Sequence, residues 1–159
     1  MVGLPSLLTA VVLIGVLESP GHADDLAARD ILKKWLQDAG THSDAPPAST
    51  AAPFEYRTVG VKKRCEGRFK DPNALAAWWK CFRKVEDYLL TDFQNGGEIA
   101  PPSPRAPLPK SLRTIAKGIK TPGIWAEGVF VGDGMTSHFL FLTTERGQIG
   151  ALLVEVTFL

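Results

Sequence analysis

The chain has 159 residues, of which 45% are hydrophobic and 22% charged, and its formal net charge is +1. This composition is that of an ordinary globular domain, and the length fits a single domain with a core of its own. The near-neutral charge argues against a nucleic-acid partner and against a membrane-surface partner attracted by bulk charge.

Residues Met1–Ala23 have the pattern of an export signal. The apolar run Leu7–Leu17 is followed by a polar break and by Gly21-His22-Ala23, which fits the small-residue pattern at a signal-peptidase site. The run is shorter than the roughly 20 apolar residues of a membrane span, so the chain is not expected to span a membrane. No Lys or Arg precedes it, and the alternative is an N-terminal segment of a cytosolic protein.

We therefore expect residues 1–23 to be a cleaved signal peptide. The mature chain would begin at Asp24, in the bacterial periplasm or outside the cell. Cleavage removes one acidic residue, Glu18, and no basic residue, which raises the net charge from +1 to +2.

Residues 24–40 are predicted to form an N-terminal helix, because apolar residues recur there at spacings of three and four. The apolar face comprises Ala28, Ile31, Leu32, Trp35, Leu36 and Ala39. The polar face comprises Arg29, Asp30, Lys33, Lys34 and Asp38. Residues 41–53 are rich in Pro, Ala, Ser and Thr without apolar periodicity, which predicts a flexible linker. The helix is then either docked on the domain or a separate arm.

Residues 54–159 are expected to form a single α+β domain. Aromatic and β-branched residues predict a half-exposed strand over Phe54–Val61. A basic cluster follows it, either a solvated strand end or a site for an anion. Its members are Lys62, Lys63, Arg64, Arg68 and Lys70.

Cys65 and Cys81 are the two cysteines of the chain. In an oxidising compartment they most simply form one disulfide bond. Their spacing fits neither a CxxC redox motif nor a four-ligand zinc set, so no metal is expected. Two free buried thiols are the alternative.

Asp71-Pro72 starts the strongest predicted helix, since Asp caps free amides and Pro fits the first helical position. Apolar residues repeat at helical spacing from Leu75 to Phe93, with a break near Lys80 left open. Five prolines in Glu98–Pro109 then predict an irregular loop. A short helix is predicted over residues 110–119.

Three strands are predicted in the last part of the chain, over Ile124–Val131, Met135–Thr143 and Gln148–Leu159, with glycine-containing turns between them. The third is apolar on both faces, which is typical of a central strand covered on both sides. The predicted fold is α+β, with helices packed on one face of a C-terminal three- to four-stranded antiparallel sheet.

This order of elements, over Phe54–Leu159, resembles that of the cystatin-like and NTF2-like rolls. In those folds a sheet wraps a helix and leaves a cone-shaped pocket. The resemblance is one of element order, and no functional residue is carried over from it.

Candidate catalytic residues are few. His42 lies in the predicted linker, where no catalytic geometry can be held. His138 is the better candidate, with a carboxylate such as Glu127 or Glu155, although a structural role is favoured. Its neighbour Ser137 must face the other side of the strand. The chain has no recognisable enzyme or cofactor motif, and no cofactor is expected.

Aromatic residues are the other group of candidate functional residues, because they can line an apolar ligand pocket between helix and sheet. Most of them are expected in the core. The candidates for ligand binding are Trp79, Trp125, Phe139 and Phe141.

These patterns favour a small exported domain that binds an apolar small ligand or a protein partner without catalysis. One alternative is an enzyme of a pocketed α+β roll that uses His138 with a carboxylate. Another is an interaction protein that contacts its partner through the proline-rich loop. Apolar strand faces near the C-terminus also suggest a homodimer.

A mass spectrum of the protein from its native compartment tests the export prediction. We expect a chain that begins at Asp24 and lacks the two thiol hydrogens until reductant is added. A full-length chain with two free thiols would contradict both expectations.

Overall fold

The computed structural model describes residues 22–41, 44–61, 65–85, 87–132 and 134–159. The proposed export signal up to Gly21 lies outside the described residues. So do His42, the basic residues at 62–64 and Asp133 of the first hairpin turn.

The described residues form four helices and five strands, numbered here in chain order. The helices are α1 His22–Gly40, α2 Pro72–Val85, α3 Asp87–Gln94 and α4 Lys110–Lys117. The strands are β1 Thr50–Val59, β2 Gly67–Phe69, β3 Ile124–Gly132, β4 Met135–Thr143 and β5 Ile149–Phe158. No helix in this part of the chain is long and apolar enough to cross a membrane.

The α+β class is confirmed, but the prediction of a three- to four-stranded antiparallel sheet is wrong. The strands make one mixed sheet of five in the order β2-β1-β5-β4-β3. Strand β1 runs parallel to β5, with Tyr56 opposite Leu152, and the other pairs are antiparallel. This pairing joins distant parts of the chain, so the local hydrophobic periodicity of the sequence does not predict it. Strand β2 has three residues, too few for a periodic signal.

Helices cover both faces of the sheet, not one face as predicted. Leu152 and Phe141 are buried in the main core with α1, α2 and α3. Leu153 and Leu140 point the other way and are buried in a second cluster with Leu112 of α4. Strand β5 is central and covered on both sides, which confirms the expectation drawn from its apolar faces.

Helix α1 is docked on the domain. Trp35 is fully buried, with its ring centre 6.0 to 6.4 Å from those of Phe54, Trp78 and Phe82. The Trp35 indole N–H donates to the Thr50 hydroxyl at 2.8 Å. Strand β1 therefore begins earlier than predicted, at Thr50.

The long predicted helix is helical on both sides of residue 86, which lies outside the described residues: α2 ends at Val85 and α3 begins at Asp87. Lys80 lies inside α2, so the helix does not break there. The predicted cap is present, since the Asp71 carboxylate accepts from the Ala74 amide at 2.9 Å. The proline-rich segment is an ordered loop. Ala100 and Val129 exchange two backbone hydrogen bonds of 2.8 Å each, which adds a short bridge to the outer edge of β3.

The Cys65–Cys81 disulfide is present, with the two Cα atoms 5.7 Å apart. It joins the segment between β1 and β2 to α2. Both cysteines belong to the main core, Cys65 as a buried member and Cys81 as a partly buried one.

We expect the Cys65→Ala, Cys81→Ala double variant to lose about 3 kcal/mol of unfolding free energy, because the bond closes a loop of 16 residues in the unfolded chain. Denaturation with and without reductant measures this. Reductant should destabilise the wild type and leave the double variant unchanged. A wild type insensitive to reductant would contradict the prediction.

Candidate functional site

His138, the candidate acid-base residue, lies on β4 between Val129 of β3 and Glu155 of β5. Its side chain is on the α4 face of the sheet and it is 8% exposed. Neither ring nitrogen makes a well-aligned hydrogen bond with the described residues, although the Ala106 backbone lies next to the imidazole. Burial lowers the pKa of His138, while the Glu155 carboxylate and the backbone of Ala106 act in the opposite direction. The imidazole is therefore held in its neutral form.

Glu155 is the one of the two candidate carboxylates that the structure brings to His138, because the two residues are directly opposite on β4 and β5. The Ser111 hydroxyl of α4 donates to the Glu155 carboxylate. A serine nucleophile would need to donate to the imidazole, so this arrangement is not that of a nucleophile and its base.

Glu127 is engaged elsewhere. It faces Leu140, not His138, across the β3–β4 pair. Its carboxylate lies 3.1 Å from the Arg113 guanidinium of α4.

The four aromatic candidates are not grouped around one pocket. Phe139 and Phe141 are fully buried in the main core. Trp79 is also buried, with its ring stacked at 5.6 Å on Phe82 and the Arg83 guanidinium 5.8 Å from its centre. Trp125 is half-buried on the edge strand β3 and lines a cleft. Ligand binding by these residues stays a prediction.

Three neighbouring clefts follow the side of the sheet between α1 and the start of β3. The largest, about 550 Å³, lies between the N-terminal ends of β1 and β3 and the β4–β5 turn. A second, of about 410 Å³, has as its lining residues Asp25, Arg29, Pro101, Pro102, Trp125, Ala126 and Glu127. A third, of about 150 Å³, lies between them and shares residues with both. His138 lines none of the three.

No protein-family model, no curated protein and no solved structure matches the chain. The described residues also contain no group of three or more His, Cys, Asp or Glu side chains that could hold a metal ion.

Arg29 is the residue of this surface that sequence reasoning placed wrongly. The helical pattern puts it on the polar face of α1, yet it is 8% exposed. It follows Ala28 of the apolar face and lines a cleft together with β3 residues and the proline pair of the loop. The one feature of the sequence that could have predicted the burial of Arg29 is its position beside the apolar face of the helix.

We expect His138 to make the fold less stable on acidification. Its pKa is lowered in the folded state, so the unfolded chain binds the proton more tightly. The contribution of the neutral imidazole is complete above the unfolded pKa of about 6.5 and is lost as the pH falls from that value through the lower pKa of the folded state.

The melting temperature of the wild type should accordingly fall more between about pH 7.5 and pH 5.5 than that of His138→Gln, which has the remaining titratable groups but not this imidazole. Parallel curves for the two proteins would contradict a lowered pKa.

Proposed function

We propose that this protein is a small exported domain that binds a small, mainly apolar ligand and does no chemistry. The observation that carries the proposal is the 550 Å³ cleft, whose volume is within the usual range of about 300–1,000 Å³ for small-molecule sites. Its apolar lining comprises Ala51, Ala52, Pro53, Pro122 and Ile124.

The entrance of this cleft has the mixed character of a ligand site. Ile124 is 63% exposed there and offers an apolar surface to a ligand. Polar groups come from the β4–β5 turn, among them Thr144, Glu145 and Arg146. A few polar groups around an apolar cavity orient a ligand without requiring it to be charged.

The state of the acid-base candidates supports binding over catalysis. His138 is buried away from the three clefts, Glu155 accepts from Ser111, and Glu127 is paired with Arg113. A catalytic pair would need to reach a substrate in an open site.

Export is supported by the Met1–Ala23 pattern and by the disulfide, which is typical of oxidising compartments. A protein partner is the other occupant compatible with the exposed groove. A homodimer stays a prediction, and it would not use the two faces of β5, which α1–α3 and α4 cover.

The alternative function is an enzyme, and the observation that favours it is the cross-strand pair of His138 with Glu155. A pocketed roll of the cystatin-like or NTF2-like kind would be the fold of such an enzyme. For a substrate to reach His138, the loop near Ala106 would have to move away from the imidazole. His138→Gln separates the two functions, because an enzyme would lose turnover while a binding protein would keep its ligand affinity.

The binding proposal is tested by calorimetric titration of the protein with octanol as an apolar probe. We expect Ile124→Glu to weaken octanol binding about tenfold or more, because it places a charge at the apolar entrance. Val131→Glu is the matched control, since Val131 lies near the other end of β3 and is also 63% exposed. Equal effects of the two variants, or no binding to the wild type, would contradict the proposal.

A further inference from the structure

Arg29 of α1 is a mostly buried residue without an ion-pair partner. It is 8% exposed, and no carboxylate of the described residues forms a salt bridge with it. Its side chain also makes no hydrogen bond among those residues. The guanidinium nitrogens are not among the fully buried polar atoms, so the mostly buried side chain keeps its charged end accessible. An accessible guanidinium without a partner is available to an anionic group.

The surroundings of Arg29 are those of a binding cleft. It lines the 410 Å³ cleft together with Trp125 and the proline pair Pro101-Pro102. Trp125 supplies an aromatic surface with a half-buried ring. The cleft therefore places a guanidinium beside an indole and two prolines, in a lining that also contains carboxylates.

Two carboxylates also line this cleft, and neither neutralises Arg29. Glu127 is paired with Arg113 at 3.1 Å. Asp25 precedes Arg29 by one helical turn but forms no ion pair with it. The guanidinium therefore keeps its donors for a ligand, and its fork of N–H groups matches a carboxylate in a bidentate pair.

The cationic cleft adjoins the apolar one. The intermediate 150 Å³ cleft shares Asp25 and Ala126 with the cleft at Arg29, and it shares Ile124 and Thr143 with the 550 Å³ cleft. The side chains between them are small or apolar, namely Ala27, Ala28 and Ile31. The order along the groove is thus a cation, an apolar passage and an apolar cavity.

We propose that Arg29 binds the carboxylate of an apolar monocarboxylic acid whose chain extends through the intermediate cleft toward Ile124. This inference rests on the proposed function and names the class of ligand. Binding supplies the anion that Arg29 lacks and removes the apolar chain from water.

Titration with octanoate and octanol, two probes with the same chain length, tests the inference. The wild type should bind octanoate about tenfold or more tightly than octanol, because charge-assisted hydrogen bonds are stronger than neutral ones. In Arg29→Gln the two affinities should become equal through a loss of octanoate affinity. Arg29→Lys should show an intermediate preference, since it keeps the charge but not the fork.

Lys34→Gln is the matched control, because it removes one positive charge from the same helix at an exposed position paired with Asp38. It should leave both affinities unchanged. Loss of octanoate affinity in Lys34→Gln equal to that in Arg29→Gln would show a bulk charge effect and overturn the inference.

The melting temperature of ligand-free Arg29→Gln gives an independent readout. Removing an unpaired charge from a mostly buried side chain should leave it unchanged or raise it. The comparison of the two probes on the wild type is decisive even where a variant does not fold.

Equal affinity of the wild type for octanoate and octanol would overturn the carboxylate inference while leaving the proposed binding function standing. Absence of binding by either probe would overturn the proposed function itself.

Discussion

The parallel pairing of β1 with β5 is the constraint on which the rest of this fold depends. It places β5 in the middle of the sheet, between β1 and β4. A central strand with apolar residues on both sides must be covered on both faces, which α1–α3 and α4 do. The same pairing brings the start of β1 beside the β4–β5 turn, where the largest cleft is located. The candidate ligand groove is thus a product of topology.

Features with a local physical cause were predictable from the sequence. The bounds of β4 agree with the structure, because glycine-containing turns flank the segment on both sides. Asp71 caps α2 because capping depends on residues within one turn. The strand order was not predictable, since the residues of β1 carry no information on which distant strand accepts their hydrogen bonds. The start of β1 at Thr50 depends likewise on Trp35 and β5.

In the candidate site too, residue types were predictable from the sequence, whereas burial and contacts between distant residues were not. The sequence identifies Trp79, Phe139 and Phe141 as large and apolar, which is equally true of core and ligand-binding residues. Their burial follows from the helices that pack on them. Arg29 has the sequence neighbours of a polar helix face, and the β3 residues and the proline pair that line its cleft lie far along the chain. The meeting of His138 with Glu155 depends on the β4–β5 register, which pattern alone does not set.

The backbone bridge between Ala100 and Val129 has a consequence for the behaviour of the protein at high concentration. Strand β3 is at one end of the sheet, and a free strand edge can pair with another chain and start aggregation. The bridge occupies hydrogen-bonding groups on that edge. The prolines next to it cannot donate a backbone hydrogen bond, so the added segment offers little for a further strand. The loop thereby protects the β3 edge of the sheet against growth by strand addition.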